Sequence, residues 1–529
     1  MLESAIVHVD RVVSSRNSLF KVIEEMRQRS CERKLSLTTG LIAIVFTLFS
    51  AANAQPLAQS SASTGTYHVR IAPDNPLQVF VEAQLPVENG HLFMAPWGAD
   101  YLADGWATFV SKLQIKDASE RPLTFVSNPK GQWKLSDKMD GMVKLSYEVD
   151  LSFAKTKWRY GNEQAGTYQD NALYVVTKAL FIVSDTTASY EVTFDVPASW
   201  KISAPWPESS ANKETFLVEN NNELINNSIV LGKHTDYIFT EGNFTFTLAL
   251  LGGMEKSKDL IAQALKKTLI AYIGIFDKTP RSKYLMTIFY ADEADSEAFN
   301  KSAAFTELDS VTEDNLIGWG DTVAHEFFHS WNGHAIQGLD YASSQWFSEG
   351  FTEYFANLAL VRQGLISDDL YIKKMEKNLG LYLYFNASPA FDGASLKEAG
   401  SKKGRYRLGV YDGGWTVAFC LDVMIRDESN GRRSLDDFMR LMYQKYGLTT
   451  KKYAYQDLVA TASEVMGRDL SEFFKEYVEG KKTLPVMECL RSSGFQGYTQ
   501  FYDGEIYISK SISAPQKAKM IQQGIMKGK

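Results

Sequence analysis

His325-Glu-Phe-Phe-His329 is followed, twenty residues on, by Glu349 within Trp346-Phe-Ser-Glu-Gly-Phe-Thr-Glu353. At 3.6 residues per turn, two His four apart share one helical face and can hold one metal ion together. Glu326 lies beside that face, where it can take a proton from an attacking water, while Phe327 and Phe328 point towards a core. Glu349 makes a third ligand and leaves a fourth position open, which is the donor set of a zinc hydrolase. The chain has only seven His, so a chance pair around a Glu is rare. The spacing predicts one helix over 319–331, with Asp321 as its start residue, and a second over 345–362.

On the second helix, Glu353 lies one turn beyond Glu349, amid Trp346, Phe347, Phe351, Tyr354 and Phe355. Two carboxylates in such a setting are costly unless satisfied. Zinc would satisfy Glu349. Glu353 can accept a hydrogen bond from the free ring nitrogen of a ligand His and fix its tautomer; the alternative is a solvated helix face. His334 tests a different ligand pattern, with Gly three and His six residues past the second ligand. Gly333 and His334 fall at four and five, so His334 reads as a loop residue. Tyr411-Asp-Gly-Gly414 precedes the apolar run Trp415 to Ile425, which puts Tyr411 just before a helix start. A neutral Tyr hydroxyl can donate to an oxyanion, but Tyr411 is one of 26 and packing is its default role.

The rest of the chain frames this site. Its 529 residues exceed one ordinary domain. With 45% hydrophobic and 22% charged residues it is globular. A formal net charge of -7 argues against a nucleic-acid partner. Arg27, Arg29, Arg33 and Lys34 precede an apolar run from Gly40 to Ser50, and Ala52-Asn-Ala54 is a small-x-small cleavage site. Residues 1–54 therefore read as a secretory signal region with its true start near Met26. Export to the periplasm or outside follows, with no stable membrane anchor after cleavage. Cys420 and Cys489 are then the mature cysteines, and Cys420 reads as a buried free thiol.

Residues 55–66, rich in Ser, Ala and Gln, read as a linker. From Tyr67 to about 252, alternating runs such as Val143-Lys-Leu-Ser-Tyr-Glu-Val149 predict an antiparallel, sandwich-like β domain. After Gly252-Gly253 the period becomes helical, with one strand at Lys283 to Tyr290, and 253–494 reads as a mainly helical catalytic domain. Residues 495–529 read as a tail with one hairpin near 501–508 and a mobile, Lys-rich end. The fold class expected is α+β.

Ala324 to Asn332, Trp346 to Phe355, Tyr411-Asp-Gly-Gly414 and Ser434-Leu-Asp-Asp-Phe438 together resemble the glycyl aminopeptidase family of gluzincin zinc metallopeptidases, metallopeptidase family sixty-one. Ala95-Pro-Trp-Gly-Ala-Asp-Tyr101 and Val196-Pro-Ala-Ser-Trp200 are similar to that family's N-terminal β domain. The resemblance implies a thermolysin-like catalytic domain, one zinc per chain on His325, His329 and Glu349, Glu326 as general base and Tyr411 as oxyanion donor. It also implies peptide or protein substrates and aminopeptidase activity towards small N-terminal residues such as Gly. Three departures stand out. The family's Gly-Gly-x-Glu-His segment, whose Glu binds the substrate amine in related aminopeptidases, is not found at Phe299 to Phe305. The stretch from His329 to Glu349 is short for the family. The PDZ domain that often ends family members is not expected here, nor is peptide capture by strand addition. An endopeptidase, or a zinc-stabilised peptide-binding protein without turnover, are the competing readings.

Overall fold

The computed structural model describes residues 64–528 except 100–101, 137–138, 153–164, 187–188, 292–294, 308–310 and 500–504. The signal region, most of the linker and the tip of the C-terminal hairpin lie outside these residues. Among the described residues no helix is long and apolar enough to cross a membrane.

The N-terminal region is built from three sheets. A six-stranded sheet runs in the order Thr215–Val218, Tyr190–Asp195, Gly65–Ile71, Gln78–Val87, Gly141–Asp150, Val110–Asp117. Its pairings are antiparallel, except that Gly65–Ile71 runs parallel to Tyr190–Asp195. Period-two patterning sets its faces: Tyr67, Val69 and Ile71 are buried while the residues between them are exposed. Two four-stranded sheets complete the region. Ala172–Val176 and Ser228–Gly232, at the centre of one of them, are buried along their whole lengths, as strands covered on both faces must be.

A five-stranded sheet follows, in the order Thr235–Glu241, Phe244–Leu250, Lys283–Tyr290, Ser302–Glu307, Asp295–Ala298. The expected boundary at 252 runs through it: the hairpin 235–250 alternates like its predecessors but pairs, in parallel, with Lys283–Tyr290. Tertiary pairing overrides a local pattern that looks the same in either sheet. One face of this sheet, with Leu285, Phe289 and Ala304, joins the N-terminal core. The other, with Phe246, Met286, Ile288 and Phe305, packs in the core of the helical region.

That helical region contains α1 (Lys258–Phe276), α2 (Leu316–Phe328), α3 (Gln345–Arg362), α4 (Asp368–Ala387) and α5 (Gly414–Glu428). An N-terminal multi-sheet β region followed by a helical one is the α+β architecture expected. Helix α3 coincides with the predicted 345–362. The chain's end departs from expectation: Gln516–Lys527 is a docked helix, with Ile521, Ile525 and Met526 buried. Its Ile525 carbonyl accepts from Arg362 Nε at 2.9 Å, and Lys527 pairs with Asp368 at 2.7 Å. Ala518, Ile521 and Ile525 recur at helical spacing, a stripe masked by Lys519, Gln522 and Gln523 between them.

Candidate metal centre and active site

Helix α2 begins at Leu316, earlier than predicted, and ends at Phe328 with His329 capping it. Asp321 is therefore inside the helix, not at its start. Its buried carboxylate accepts from Asn357 Nδ2 at 2.5 Å and pairs with Lys374, tying α2 to α3 and α4. Phe327 and Phe328 are fully buried, and Phe328 stacks on Phe355 of α3 at 5.1 Å. This aromatic packing sets the two helices against each other.

The packing brings His325, His329 and Glu349 together, with their ligand atoms within 4.8 Å of one another. The two Nε2 atoms are 3.1 Å apart, and Glu349 Oε2 lies 3.3 Å from the first and 3.4 Å from the second. Each Nδ1 faces an oxygen: Glu353 Oε2 at 3.0 Å from His325, and the Asn332 carbonyl at 2.9 Å from His329. With both imidazoles neutral, as metal binding requires, Nδ1–H donation to those acceptors leaves both Nε2 atoms as lone pairs turned towards each other and a carboxylate. Such a convergence is repulsive unless a cation sits within it, and two imidazoles with one carboxylate fit zinc. Asn332 is fixed in turn, its Nδ2 donating to the Phe347 carbonyl at 3.1 Å and to Thr352 Oγ1 at 3.2 Å.

The electrostatics favour a cation too. Burial opposes charge on His325, but Glu349, Glu353 and Glu326 outweigh it and raise its pKa to about 10. Burial pushes Glu349 up, yet His325, His329 and Lys403 hold it well below the usual carboxylate range. Glu353, similarly opposed by burial, is held at about 2 by His325 and Lys374. Glu353 thus lies beside His325 and not on a solvated face.

Glu326 accepts from Ser296 Oγ at 2.7 Å. Ser296 lies on the sheet's edge strand, Asp295–Ala298, which packs beside α2. This strand immediately precedes the stretch 299–305, where an amine-binding segment was sought. Its Glu297 faces Lys178 of the N-terminal region at 2.5 Å. Without a Gly pair as a marker, a four-residue strand had no sequence signal.

Tyr411 lies in a π-helical turn, Gly409–Gly413, that runs straight into α5, so it is inside helical structure and not ahead of it. Its ring stacks on His325 with centres 5.9 Å apart. Such π turns concentrate at functional sites. Gly414 touches α3 at Trp346 and Gly350, where a Cβ would collide with backbone. That close approach holds Tyr411 against the metal centre. Two cations flank Tyr411 that sequence reasoning missed: Lys403 Nζ donates to Glu349 Oε1 at 2.6 Å, and the Arg407 guanidinium lies 4.0 Å over the Tyr411 ring. Their spacing, four and eight residues before Tyr411, was the available signal. His334 sits in the turn after α2 and is not among the converging ligands.

Residues 66–233 match the model of the peptidase M61 N-terminal domain, and 319–407 match that of M61 glycyl aminopeptidase. The chain is a peptidase of the M61 type. The second match carries both His, Glu326, Glu349 and Glu353, and stops short of Tyr411. Among solved structures, an aminopeptidase N family protein from Idiomarina loihiensis aligns with a TM-score of 0.71 at 19% identity, covering 83% of this chain and 79% of that one. An M1 zinc metallopeptidase from Deinococcus radiodurans aligns at 0.54 with 13% identity, covering 80% and 95%. At these identities the M61 peptidase shares their fold. No curated protein sequence matches the chain. With the His-His-Glu cluster, these findings make the chain a zinc metallopeptidase.

Proposed function

We propose that this M61 peptidase is exported and removes small N-terminal residues such as Gly from peptides, with one zinc per chain on His325, His329 and Glu349. The observation that carries the reading is the converging donor set with Glu326 beside it. Zinc held there supplies Lewis acidity, acidifying water and polarising a peptide carbonyl. Glu326 takes the proton of the attacking water and passes it to the leaving amine. Ser296 holds one Glu326 oxygen, which orients the other. Tyr411 stays protonated, since burial raises its pKa, and its hydroxyl donates to the developing oxyanion. Glu353 and Asn332 keep both imidazoles in the tautomer that presents Nε2.

Glu297 is the carboxylate available for a substrate amine, from its place on the edge strand next to Ser296. Its pairing with Lys178 favours a second reading, an endopeptidase, because an internal ammonium already meets that carboxylate. Free and N-acetylated forms of the same peptides separate the two. An aminopeptidase cuts only the free forms; equal cleavage of both establishes the endopeptidase. The export reading is tested by N-terminal sequencing of the mature protein, which should begin at Gln55.

A further inference from the structure

Positive charge collects beside the metal centre of an acidic chain. Against a net charge of -7, residues 401–407 read Ser-Lys-Lys-Gly-Arg-Tyr-Arg. Arg405 is engaged with Asp392 at 2.5 Å, and Lys403 with Glu349 at 2.6 Å. Arg407 is exposed, and among the described residues no carboxylate lies within ion-pair distance of it. Its guanidinium rests 4.0 Å over the Tyr411 ring, and Lys403 Nζ is 5.1 Å from the same ring centre. Tyr411 stacks on the ligand His325.

A guanidinium held by its face on an aromatic ring keeps most of its in-plane N–H donors for other partners; one of Arg407's reaches the Tyr411 hydroxyl, and the rest can meet a carboxylate. Lys403 spends one of its three donors on Glu349 and another on the Tyr411 hydroxyl, and keeps one. Asp412, the next residue along from Tyr411, and Glu349 contribute the nearby negative charge, and neither closes on Arg407. Both cations flank the one side chain placed to meet the reacting carbonyl. We infer that Arg407, with Lys403 beside it, binds a carboxylate of the substrate close to the scissile bond, so that the enzyme favours peptides carrying an acidic group there. This rests on the hydrolase reading for the identity of the ligand as a peptide. The carboxylate has two sources: an acidic side chain just past the bond, or the chain terminus of a dipeptide.

Calorimetry on the full-length, zinc-loaded Glu326→Gln protein separates them, using Gly-Glu-amide, Gly-Gln with a free C-terminus, and Gly-Gln-amide. At least one carboxylate-bearing peptide should bind on the order of ten- to a hundredfold tighter than Gly-Gln-amide, the range of a charge-assisted bidentate contact. The peptide that gains identifies the source. Adding Arg407→Gln should bring the ratio to within about twofold, and Arg407→Lys should leave it between. Zinc content and melting temperature control for folding, and Arg407→Lys serves if the Gln variant fails to fold. Equal affinities for all three peptides, binding of none, or a preference that survives in the folded Arg407 variants overturns the inference. Wild-type turnover of the same peptides is followed in parallel: intact binding preference without cleavage of any peptide sinks the hydrolase reading and leaves this one standing.

Discussion

Removing Glu353 should weaken zinc binding, by an amount that depends on pH. Its Oε2 lies 3.0 Å from His325 Nδ1 in a buried setting. Loss of such a partner to a metal-ligating imidazole typically weakens the metal about 10- to 100-fold, or about 1.4–2.8 kcal/mol. Glu353→Gln keeps an acceptor without its charge and belongs near the low end. Glu353→Ala leaves a buried ring N–H with no acceptor and belongs near the high end. A second effect opposes the first. Glu353 is among the carboxylates that raise His325 to about 10 in the zinc-free protein, so zinc must displace a proton there. Apparent zinc affinity of the wild type therefore climbs with pH towards 10. Without Glu353 the proton leaves more easily, which offsets part of the loss at neutral pH. The deficit of both variants should widen from pH 7 to pH 9. Competition with a chromophoric chelator at both pH values reads it. If Glu353→Ala matches the wild type at both, with no difference in slope, Glu353 does not support the ligand.

Two further outcomes follow from the packing around Tyr411 and Glu349. Gly350→Ala drives a methyl into the backbone of Gly414, so α3 and α5 must separate. A loss of about 1–3 kcal/mol is expected from the overpacking, together with loss of zinc stoichiometry because Glu349 is adjacent; denaturant melts and metal analysis check both. Asp412 is buried, and that burial raises its pKa to about 7. In the folded protein it holds its proton where the unfolded chain has lost it, so its contribution to stability is greatest below about pH 4 and falls as pH rises to about 7. Asp412→Asn should be the more stable form above pH 7, by up to about 4 kcal/mol, and the gain should vanish below pH 4; urea melts across that range decide it.

The metal centre was legible because its spacing is local. His325, Glu326 and His329 need only a helix, and the aromatic run from Trp346 to Phe355 could form only a buried one. Residues that reach the site from other elements were not legible in the same way. Ser296 arrives on a four-residue edge strand, Lys403 on a turn, and Arg407 on the short helical stretch ahead of Tyr411, where spacing to Tyr411 was the one sign of a shared face. Asp321 was misread as a cap because Asp favours helix starts, whereas Lys374 and Asn357, both distant in sequence, satisfy it inside the helix. The terminal helix was hidden for a related reason: its apolar stripe of Ala518, Ile521 and Ile525 is narrow, and only docking shows that it is covered.

The central claim is that His325, His329 and Glu349 hold zinc while Glu326 moves the proton. Glu326→Gln, measured for both metal content and peptide cleavage, tests the two halves at once. One zinc per chain should remain, and cleavage should fall by at least about 100-fold, the contribution of a positioned general base. A Glu326→Gln protein that retains its zinc and cleaves peptides at the wild-type rate would contradict the account.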